Sequence, residues 1–595
     1  MYKVARSGEA FVGLSARQFV RLGFGLATLA CSAGVSLFGQ SAQQKMSTAT
    51  PAAAKVNDAE VAPTRLDLLR GAYGEDRANN DLISYHLDIR VDPKKKYISG
   101  KNTIRFKMLK DGKRIHLDLN EALKIDKILL VDDRGLSEKQ DGDVKSPLQG
   151  QELKYSRDSG AVFVDFPQTL RAGQTYAIDF YYSGNPVETG RFGSITFKKD
   201  AAGRDWINTA CEETGASMWW PNKDQWRDEV EEMEISVAVP NGLMDVSNGR
   251  FVGKTDLGDG YTRWDWMVHY PINNYDVSLN IGKYEHFDDK LGDVTLDFYV
   301  LPEDLEKAKR QFAQAKGMIE AFQHYFGEYP FVKDGYKLIE APYSGMEHQS
   351  AVTYGNHFAN GYLERDWTGV GISPRFDFII IHESGHEWFG NAVSAADRSD
   401  MWIHEGWTTY LESLYVEYMF GHDDAIKYIS GYKPKVKNER PIISARGVNA
   451  TPPQDQYFKG ILFLNTLRSV VNDDAKWFAM IHDLFQKFKY QNIMTEDIVA
   501  YMNQYTGMNL TPIFDQYLRH TAIPTLELKF DEPAGTVKYR WKTDVSGFAM
   551  PVAVGEAGKW EIVKATTQWQ TLKTAVKKSE FGVAEDLYYV NVEKQ

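Results

Sequence analysis

Apolar and polar side chains alternate along short stretches of the first half of the chain. In residues 83–91 every second side chain is apolar, and the alternation continues in residues 104–108 and 115–119. A period of two residues is typical of a strand with one buried face. These short strands, separated by turns, predict an antiparallel β-rich N-terminal domain over residues 66–290.

The period changes beyond about residue 300, where apolar residues recur every three to four positions. This spacing predicts amphipathic helices over residues 303–325, 401–418, 475–490 and 495–504. We therefore expect a mostly helical domain over residues 291–520. Alternation returns afterwards and predicts a small C-terminal β-sandwich over residues 521–595. The fold class is α+β with several domains.

The N-terminal residues have the features of an export signal. Basic residues precede an uncharged apolar stretch from Leu22 to Phe38, and small residues over Gly39–Ala42 suit cleavage. We expect a signal peptide over residues 1–42 and a flexible linker over residues 43–65. The destination is then the periplasm or the cell exterior, with an uncleaved membrane anchor as the alternative. No later stretch of the sequence is apolar enough to span a membrane.

Composition narrows the classes of function. A chain of 595 residues is too long for one hydrophobic core. Its net charge of −12 disfavours nucleic acid as a partner. Beyond the predicted signal peptide the sequence contains one cysteine, Cys211, so no internal disulfide can form, and a buried structural role is expected for the thiol. The sequence leaves the oligomeric state open.

The spacing of two histidines and a glutamate predicts a metal site. His382 and His386 bound the stretch His-Glu-Ser-Gly-His, and Glu405 follows after eighteen residues. Positions four apart share one helix face, so both imidazoles can approach one ion while a second helix supplies the carboxylate. These ligands leave the fourth position of tetrahedral zinc open, as catalytic zinc requires. Surface histidines on an ordinary amphipathic helix are the alternative.

A general base is expected beside this metal. Glu383 follows the first histidine directly and lies about 100° further around the helix. Its carboxylate can therefore face a water molecule without binding the metal itself. The alternative, a charge near the helix N-terminus, leaves the neighbouring residues unexplained.

Several separate segments resemble the M1 family of zinc aminopeptidases, which belongs to the gluzincin group. The family's Gly-x-Met-Glu-Asn motif is similar to Ser344-Gly345-Met346-Glu347-His348. Its Tyr-x-Lys-Gly and Asp-Leu-Trp-Leu-Asn-Glu-Gly-Phe motifs are similar to residues 457–460 and 400–407. Residues 209–224 are similar to a segment of the family's N-terminal domain. The resemblance covers residues 80 to 530 approximately.

The resemblance implies a fold and a set of roles. It implies a thermolysin-like catalytic domain that holds one zinc ion through His382, His386 and Glu405, with Glu383 as the base. Tyr457 is implied to stabilise the oxyanion, an effect typically worth a few kcal/mol. The substrate-binding residues implied are Glu212, Gly345, Met346 and Glu347. Glu212 and Glu347 would pair with the free α-ammonium of a peptide substrate.

The chain departs from the family pattern at several positions. His348 and His404 stand where the family has asparagine, and Ala210 stands where glutamine is common. The two histidines are expected either to orient carboxylates or to be packed, satisfied core residues. The changes at positions 210 and 348 leave the shape of the pocket for the first side chain, and hence the preferred N-terminal residue, open.

An exported zinc aminopeptidase is the function that these residues favour. A zinc endopeptidase shares the metal ligands but has no use for an amine-binding pair of glutamates. A bifunctional epoxide hydrolase and aminopeptidase, similar to leukotriene A4 hydrolase, is a narrower alternative. A catalytically silent peptide-binding protein of the same fold is the alternative from another class, and it would usually have lost the ligands or the base first.

Overall fold

The computed structural model describes residues 62–131, 150–189 and 194–595. The predicted signal peptide and nearly all of the predicted linker lie outside these residues, so export stays a prediction. The described chain begins with helix α1 (Arg65–Gly71), close to the expected start of ordered structure, and helix α2 (Glu75–Ala78) follows. Within the described ranges every helix is too short or too polar to span a bilayer.

Strands dominate the first half of the chain, as the alternating pattern predicts. They are β1 (Asn80–Asp92), β2 (Tyr97–Met108), β3 (Gly112–Asp118), β4 (Leu123–Val131), β5 (Lys154–Asp158), β6 (Ala161–Leu170), β7 (Thr175–Gly184), β8 (Ser194–Lys199), β9 (Asp205–Ala210), β10 (Glu232–Pro240), β11 (Met244–Val246), β12 (Arg250–Asp256), β13 (Tyr261–Val268), β14 (Asn280–Gly282), β15 (Glu285–Leu291) and β16 (Val294–Val300). The predicted β-rich N-terminal region is confirmed.

A seven-stranded sheet forms the largest layer of this region. Its strand order is β12-β13-β10-β1-β2-β7-β4. Neighbouring strands are antiparallel except β1 and β10, which pair in parallel with Leu87 opposite Ile235. The two parallel strands are far apart in sequence, so no hairpin connects them. Leu87, Ile89 and Val91 are buried, as expected for the apolar face of β1.

Two smaller sheets complete the N-terminal region. Their strand orders are β11-β14-β9-β8 and β3-β6-β5. A buried ion pair joins α2 to β3, where Arg77 donates to the two carboxylate oxygens of Asp118 at 2.7 and 2.6 Å. Strand β9 ends two residues before Glu212, so the sheet carrying β9 places this glutamate.

Helices dominate residues 305–519. They are α3 (Leu305–Gln311), α4 (Gln314–Phe326), α5 (Phe378–Gly385), α6 (Trp402–Phe420), α7 (His422–Ser430), α8 (Asp455–Val471), α9 (Asp474–Phe488), α10 (Thr495–Thr506) and α11 (Thr511–Arg519). Short strands accompany them: β17 (Tyr336–Glu340), β18 (Gly345–Met346), β19 (Val352–Tyr354), β20 (Val393–Ala395) and β21 (Gln491–Ile493). The helix expected over residues 303–325 is divided into α3 and α4.

The first strands of this region connect the N-terminal strands to the site. Strands β17, β19 and β18 extend the edge of β15 and β16 into a five-stranded sheet with the order β15-β16-β17-β19-β18. Strand β18 lies at the end of this sheet and carries Gly345 and Met346. The sheet therefore places the residues before Glu347 against the helical part.

The C-terminal part consists of strands, as predicted. They are β22 (Thr525–Asp531), β23 (Thr536–Lys542), β24 (Ala549–Glu556), β25 (Lys559–Thr566), β26 (Gln570–Lys573), β27 (Phe581–Val583) and β28 (Asn591–Lys594), in two sheets ordered β26-β23-β22-β28 and β25-β24-β27. The segment before β28 packs on α8, where Tyr589 N donates to Thr466 Oγ1 at 2.9 Å and Tyr588 donates to the Ser469 carbonyl at 3.0 Å. The C-terminal strands thus support the back of α8.

Candidate metal centre and catalytic cavity

Helix α5 carries both histidines of the predicted site. Its N-cap is Asp377, whose Oδ1 accepts from the backbone N–H groups of Ile379 and Ile380 at 3.1 and 3.3 Å. A short 3₁₀ turn over Ser373–Arg375 precedes the helix, and Phe376 between the turn and the Asp377 cap is extended. His382 lies in the last turn, and His386 follows the helix in an α conformation.

The three predicted ligands converge on one point. Oε2 of Glu405, in the first turn of α6, lies 3.5 Å from His382 Nε2 and 3.3 Å from His386 Nε2. Ligand atoms of the three residues lie within 4.8 Å of one another, and all three side chains are buried. Two imidazole nitrogens and one carboxylate oxygen around one point are the donors that a catalytic zinc site uses. The residues present therefore fit zinc.

Further side chains hold the two imidazoles in position. His382 Nδ1 donates to Glu412 Oε1 at 2.6 Å, and His386 Nδ1 donates to the Phe389 carbonyl at 3.0 Å. Each of these bonds places the ring proton on Nδ1 and leaves Nε2 free to bind a metal. Glu412 Oε2 accepts from the hydroxyls of Tyr428 and Tyr432 at 2.7 and 2.5 Å.

Glu412 belongs to the site, and none of the sequence motifs identifies it. It lies seven residues after Glu405 on α6, a spacing that puts both carboxylates on one face of the helix. This spacing is the signal that could have identified it. No comparable spacing identifies its partners Tyr428 and Tyr432. They contact Glu412 from helix α7 and from the turn after that helix.

Glu383 lies against strand β18. A Cβ atom on Gly345 would lie 2.8 Å from Glu383 Oε1 and 2.6 Å from Ile379 Cγ2, so any other residue at position 345 would clash with α5. Gly345 thus allows the strand to pass directly over the carboxylate. Burial raises the pKa of Glu383 to about 7, with His382 opposing the shift. A carboxyl with this pKa can exchange a proton near neutral pH.

Glu347 and Glu212 face one cavity from different parts of the chain. Glu347 follows β18, Glu212 follows β9, and the two side chains are 3% and 8% exposed. Within the described residues, Oε1 of each carboxyl has no hydrogen-bond partner. Burial raises the pKa of both, and the charge of Glu347 adds to the shift of Glu212. Two close carboxyls with free oxygens suit a cationic group.

Tyr457 reaches the metal site from helix α8. Its hydroxyl donates to Glu405 Oε1 at 2.5 Å. Helices α6 and α8 approach closely through two glycines, since a Cβ atom on Gly460 would lie 2.7 Å from the Cα atom of Gly406. Lys459 donates to the His520 carbonyl at 2.9 Å and anchors α8 to the chain that follows α11. Each residue of the Tyr-x-Lys-Gly segment that resembles the family motif thus has a structural role.

The site opens into a cavity of about 420 Å³. Glu212 and Glu347 line it together with the three candidate metal ligands and Glu383. Its wall on the His382 side is aromatic and consists of Tyr362, Trp367, Phe378, Tyr432 and Phe458. Met346, although next to Glu347, is buried and lines the cavity with its strand.

The residues that depart from the family pattern are packed side chains. His404 Nε2 accepts from the Ala395 N–H at 2.8 Å, and its ring stacks on Trp226 with centroids 5.0 Å apart. The other ring nitrogen of His404, Nδ1, faces the hydroxyl of Tyr275. Neither ring nitrogen of His348 has a hydrogen-bond partner among the described residues. Within those residues, therefore, no carboxylate hydrogen-bonds to the ring of His348 or His404. Burial lowers the pKa of both histidines to about 3. Cys211 is buried as expected.

Two segments of the chain match the domains of one peptidase family. Residues 310–517 match the Peptidase family M1 domain, and residues 82–275 match the Peptidase M1 N-terminal domain. Endoplasmic reticulum aminopeptidase 1 of Homo sapiens is 24% identical over 348 residues, which are 56% of this chain and 36% of the relative. Leucyl aminopeptidase of Saccharolobus solfataricus is 23% identical over 400 residues, which are 65% of this chain and 49% of the relative. The chain thus spans less than half the length of these curated relatives.

Solved structures show a similar fold. The M1 zinc metallopeptidase of Deinococcus radiodurans has a TM-score of 0.60 and 20% identity, over 75% of this chain and 95% of that one. A mutant of it with bound Tyr-Ser-Ala substrate has the same TM-score and identity, over 75% and 96%. At this identity the likeness establishes the fold.

Proposed function

This chain belongs to the M1 peptidase family, and we propose that it is a zinc-dependent aminopeptidase that hydrolyses the first peptide bond of substrates with a free N-terminus. One observation carries the proposal: two buried glutamates with free oxygens, Glu212 and Glu347, share a cavity with a three-residue metal-binding set. A metal peptidase that cuts within chains has no need for this pair. A buried ammonium, by contrast, requires paired carboxylates.

The proposed N-terminal and catalytic domains each contribute residues to the cavity. Residues 66–290 supply Glu212, and residues 291–520 supply the metal-binding residues, Glu347, Glu383 and Tyr457. The substrate then binds between the two parts, with residues 521–595 behind α8. When bound, zinc supplies a Lewis acid for the scissile carbonyl and a means to activate water near neutral pH.

Glu347 and Glu212 place the peptide. Both accept hydrogen bonds from the α-ammonium group, and their charges compensate that of the cation in a site with little water. Because the ammonium can bind only beside these carboxyls, the bond that reaches the metal-binding set is the first one. An N-acetylated peptide has no charge to pair with them and leaves the carboxyls uncompensated.

Glu383 and Tyr457 then act on the bond. Glu383 accepts a proton from the attacking water and can pass it to the leaving amine, as its pKa near neutrality allows. Tyr457 donates its hydroxyl hydrogen to the oxyanion that develops on the scissile carbonyl. Its present bond to Glu405 places the hydroxyl beside the metal-binding carboxylate. Glu412 contributes by keeping His382 in the required tautomer.

Hydrolysis of matched chromogenic substrates tests this function. Leucyl and N-acetyl-leucyl anilides are compared, each with and without a chelator, and zinc is then added back. We expect cleavage of the free amine alone, its loss with chelator and its return with zinc. Equal cleavage of both anilides would indicate an endopeptidase, and absence of cleavage with stoichiometric zinc present would indicate a silent peptide-binding protein. Stoichiometric metal is measured separately by elemental analysis.

A further inference from the structure

A small cavity lies where helix α1 meets the chain that leads into helix α6. Its volume is about 30 Å³, compared with about 420 Å³ for the catalytic cavity. Two arginines line it: Arg70 in the last turn of α1, and Arg398 in the 3₁₀ turn before α6. A space of this size holds a species of about one or two heavy atoms.

Arg398 is a buried cation without a counter-charge. The residue is 7% exposed, and its Nη1 donates to the Glu212 carbonyl. Its Nε and Nη2 have no hydrogen-bond partner among the described residues, and no carboxylate of those residues forms an ion pair with it. A guanidinium stays protonated at neutral pH even when it is buried, and a buried charge is costly unless it is paired. Arg398 thus lacks the partner that its charge requires.

Arg70 brings further donors to the same cavity. Its Nε has no hydrogen-bond partner in the part of the chain that the structure describes, and its Nη2 makes only a long contact of 3.5 Å with Asp224 Oδ2. Gly215 permits this position of the guanidinium, since a Cβ atom on that residue would overlap Arg70 Nη2. The two arginines therefore present unpaired N–H groups to one small space.

Two carboxylates also line the cavity, but each has other partners. Asp224 Oδ2 accepts from the backbone N–H and the hydroxyl of Ser217 at 3.0 and 2.6 Å. The oxygens of Asp397 accept from the backbone N–H groups of Ser399 and Gly447 at 3.0 and 2.9 Å. The unpaired donors of the two arginines are thus left for a ligand.

We propose that Arg70 and Arg398 bind a monovalent anion of the size of chloride in this cavity. The unpaired N–H groups donate to the anion, and its charge compensates the buried guanidinium of Arg398. A water molecule satisfies the N–H groups but leaves the charge unpaired. Phosphate and sulfate are too large for the space.

The proposed anion connects helix α1 to the amine-binding part of the catalytic cavity. On one side, the N–H of Asn449 donates to the Asp67 carbonyl of α1 at 3.0 Å. On the other side, Arg398 holds the carbonyl of Glu212, whose side chain lines the catalytic cavity. A compensated guanidinium repels the substrate's ammonium less, so the anion favours substrate binding. This consequence rests on the proposed aminopeptidase function, whereas the anion site does not.

Crystals grown with bromide in place of chloride test the site itself, because the anomalous signal of bromide distinguishes it from water. We expect one peak within hydrogen-bond distance of Arg70 Nε and of Arg398 Nε or Nη2. A water molecule at this point, or no density, would overturn the proposal.

Thermal unfolding tests binding in solution. Chloride replaces gluconate at constant ionic strength, and we expect Tm of the unmodified protein to rise by about 2 °C and then saturate. Arg398→Gln should lose this response, and Arg70→Gln replaces it if that variant does not fold. Arg310→Gln, at an exposed position on α3, is the matched control and should keep the response. A bromide peak without any response of Tm would mean an adventitious ion only and would overturn the proposal.

Kinetics on the leucyl anilide tests the link to Glu212. We expect chloride to lower KM about fivefold at unchanged kcat, because the anion affects the binding of the ammonium in the ground state and the transition state alike. An unchanged KM in protein whose Tm responds to chloride would overturn this link. Absence of cleavage at every chloride concentration would contradict the proposed function, while the crystals and the unfolding experiment would still decide the anion site.

Discussion

Tyr457 donates a hydrogen bond of 2.5 Å to Glu405 Oε1, while Oε2 of the same carboxylate faces the two imidazoles. The two residues lie on helices α8 and α6, 52 positions apart in sequence. Their contact therefore depends on how closely these helices pack. It also links the predicted oxyanion donor to a predicted metal ligand, so the position of each constrains the other.

Removal of the Tyr457 hydroxyl should reduce turnover more than binding. We expect Tyr457→Phe to lower kcat about 10²- to 10³-fold with a small change in KM, because the lost bond forms fully only in the transition state. Steady-state kinetics on a leucyl substrate measures both constants. Tyr418→Phe, at a 43% exposed position, is the control. A rise in KM at normal kcat would mean that Tyr457 positions the substrate instead.

Separation of α6 and α8 should damage both stability and activity. In Gly460→Ala the added methyl group meets Gly406 Cα at 2.7 Å, and we expect a loss of about 1–3 kcal/mol in the free energy of unfolding. The shift of α8 should also lower kcat. Gly317→Ala is the control: this helical glycine has open space around it, so alanine should be neutral or stabilising. Denaturant unfolding and steady-state kinetics are measured for both variants. Equal stability and equal kcat in Gly460→Ala and Gly317→Ala would refute the packing argument.

Loss of the base should leave the metal in place. Glu383→Gln keeps the shape of the side chain but cannot accept a proton, so we expect kcat to fall about 10²- to 10⁴-fold. Elemental analysis should still find one zinc ion per chain. Glu320→Gln, exposed on α4, is the matched control and should behave as the unmodified protein. Normal kcat in a zinc-loaded Glu383→Gln variant would remove Glu383 from the mechanism.

Glu412 should affect metal affinity more than chemistry. Glu412→Gln weakens the bond that holds His382 Nδ1 and disturbs the hydroxyls of Tyr428 and Tyr432, so we expect zinc affinity to fall about 10- to 100-fold. Competition with a chromophoric chelator measures the affinity, and activity at saturating zinc should recover in part. Glu439→Gln, at an exposed position, is the control. Unchanged zinc affinity would show that the tautomer does not depend on Glu412.

Acidic pH should destabilise the N-terminal region, because Asp118 becomes protonated. Burial alone would raise the pKa of Asp118, but the charges of Arg77 and His116 lower it to about 2. The unfolded value is about 3.9, so the pair stabilises the folded chain above about pH 4 and this contribution is lost as the pH falls toward 2. Urea unfolding across this range should show the loss.

The same pair can be tested at neutral pH. Asp118→Asn leaves the Arg77 guanidinium buried without a counter-charge, and we expect a cost of about 3–5 kcal/mol. The variant should also show a flatter pH dependence below pH 4. Asp111→Asn, which removes an exposed pair with Arg171, should have a much smaller effect. A variant as acid-sensitive as the unmodified protein would contradict the assignment.

Local sequence was sufficient to predict that His382, Glu383 and His386 lie on one helical segment. A spacing of four residues places His382 and His386 on one side of a helical segment whatever the rest of the chain does, and Glu383 follows from the same geometry. Alternation and helical periodicity likewise predicted the order of β-rich, helical and β-rich parts. These features depend on contacts within a few turns, so the sequence alone determines them.

Tertiary structure decided which distant residues meet. Glu212 and Glu347 face one cavity although 135 positions separate them, and Tyr457 reaches Glu405 because two glycines allow their helices to touch. The bonds of Glu412 and the packing of His404 on Trp226 also became visible only in the fold. The physical reason is that side-chain periodicity specifies the face of each element, whereas the pairing of faces depends on how the whole core packs.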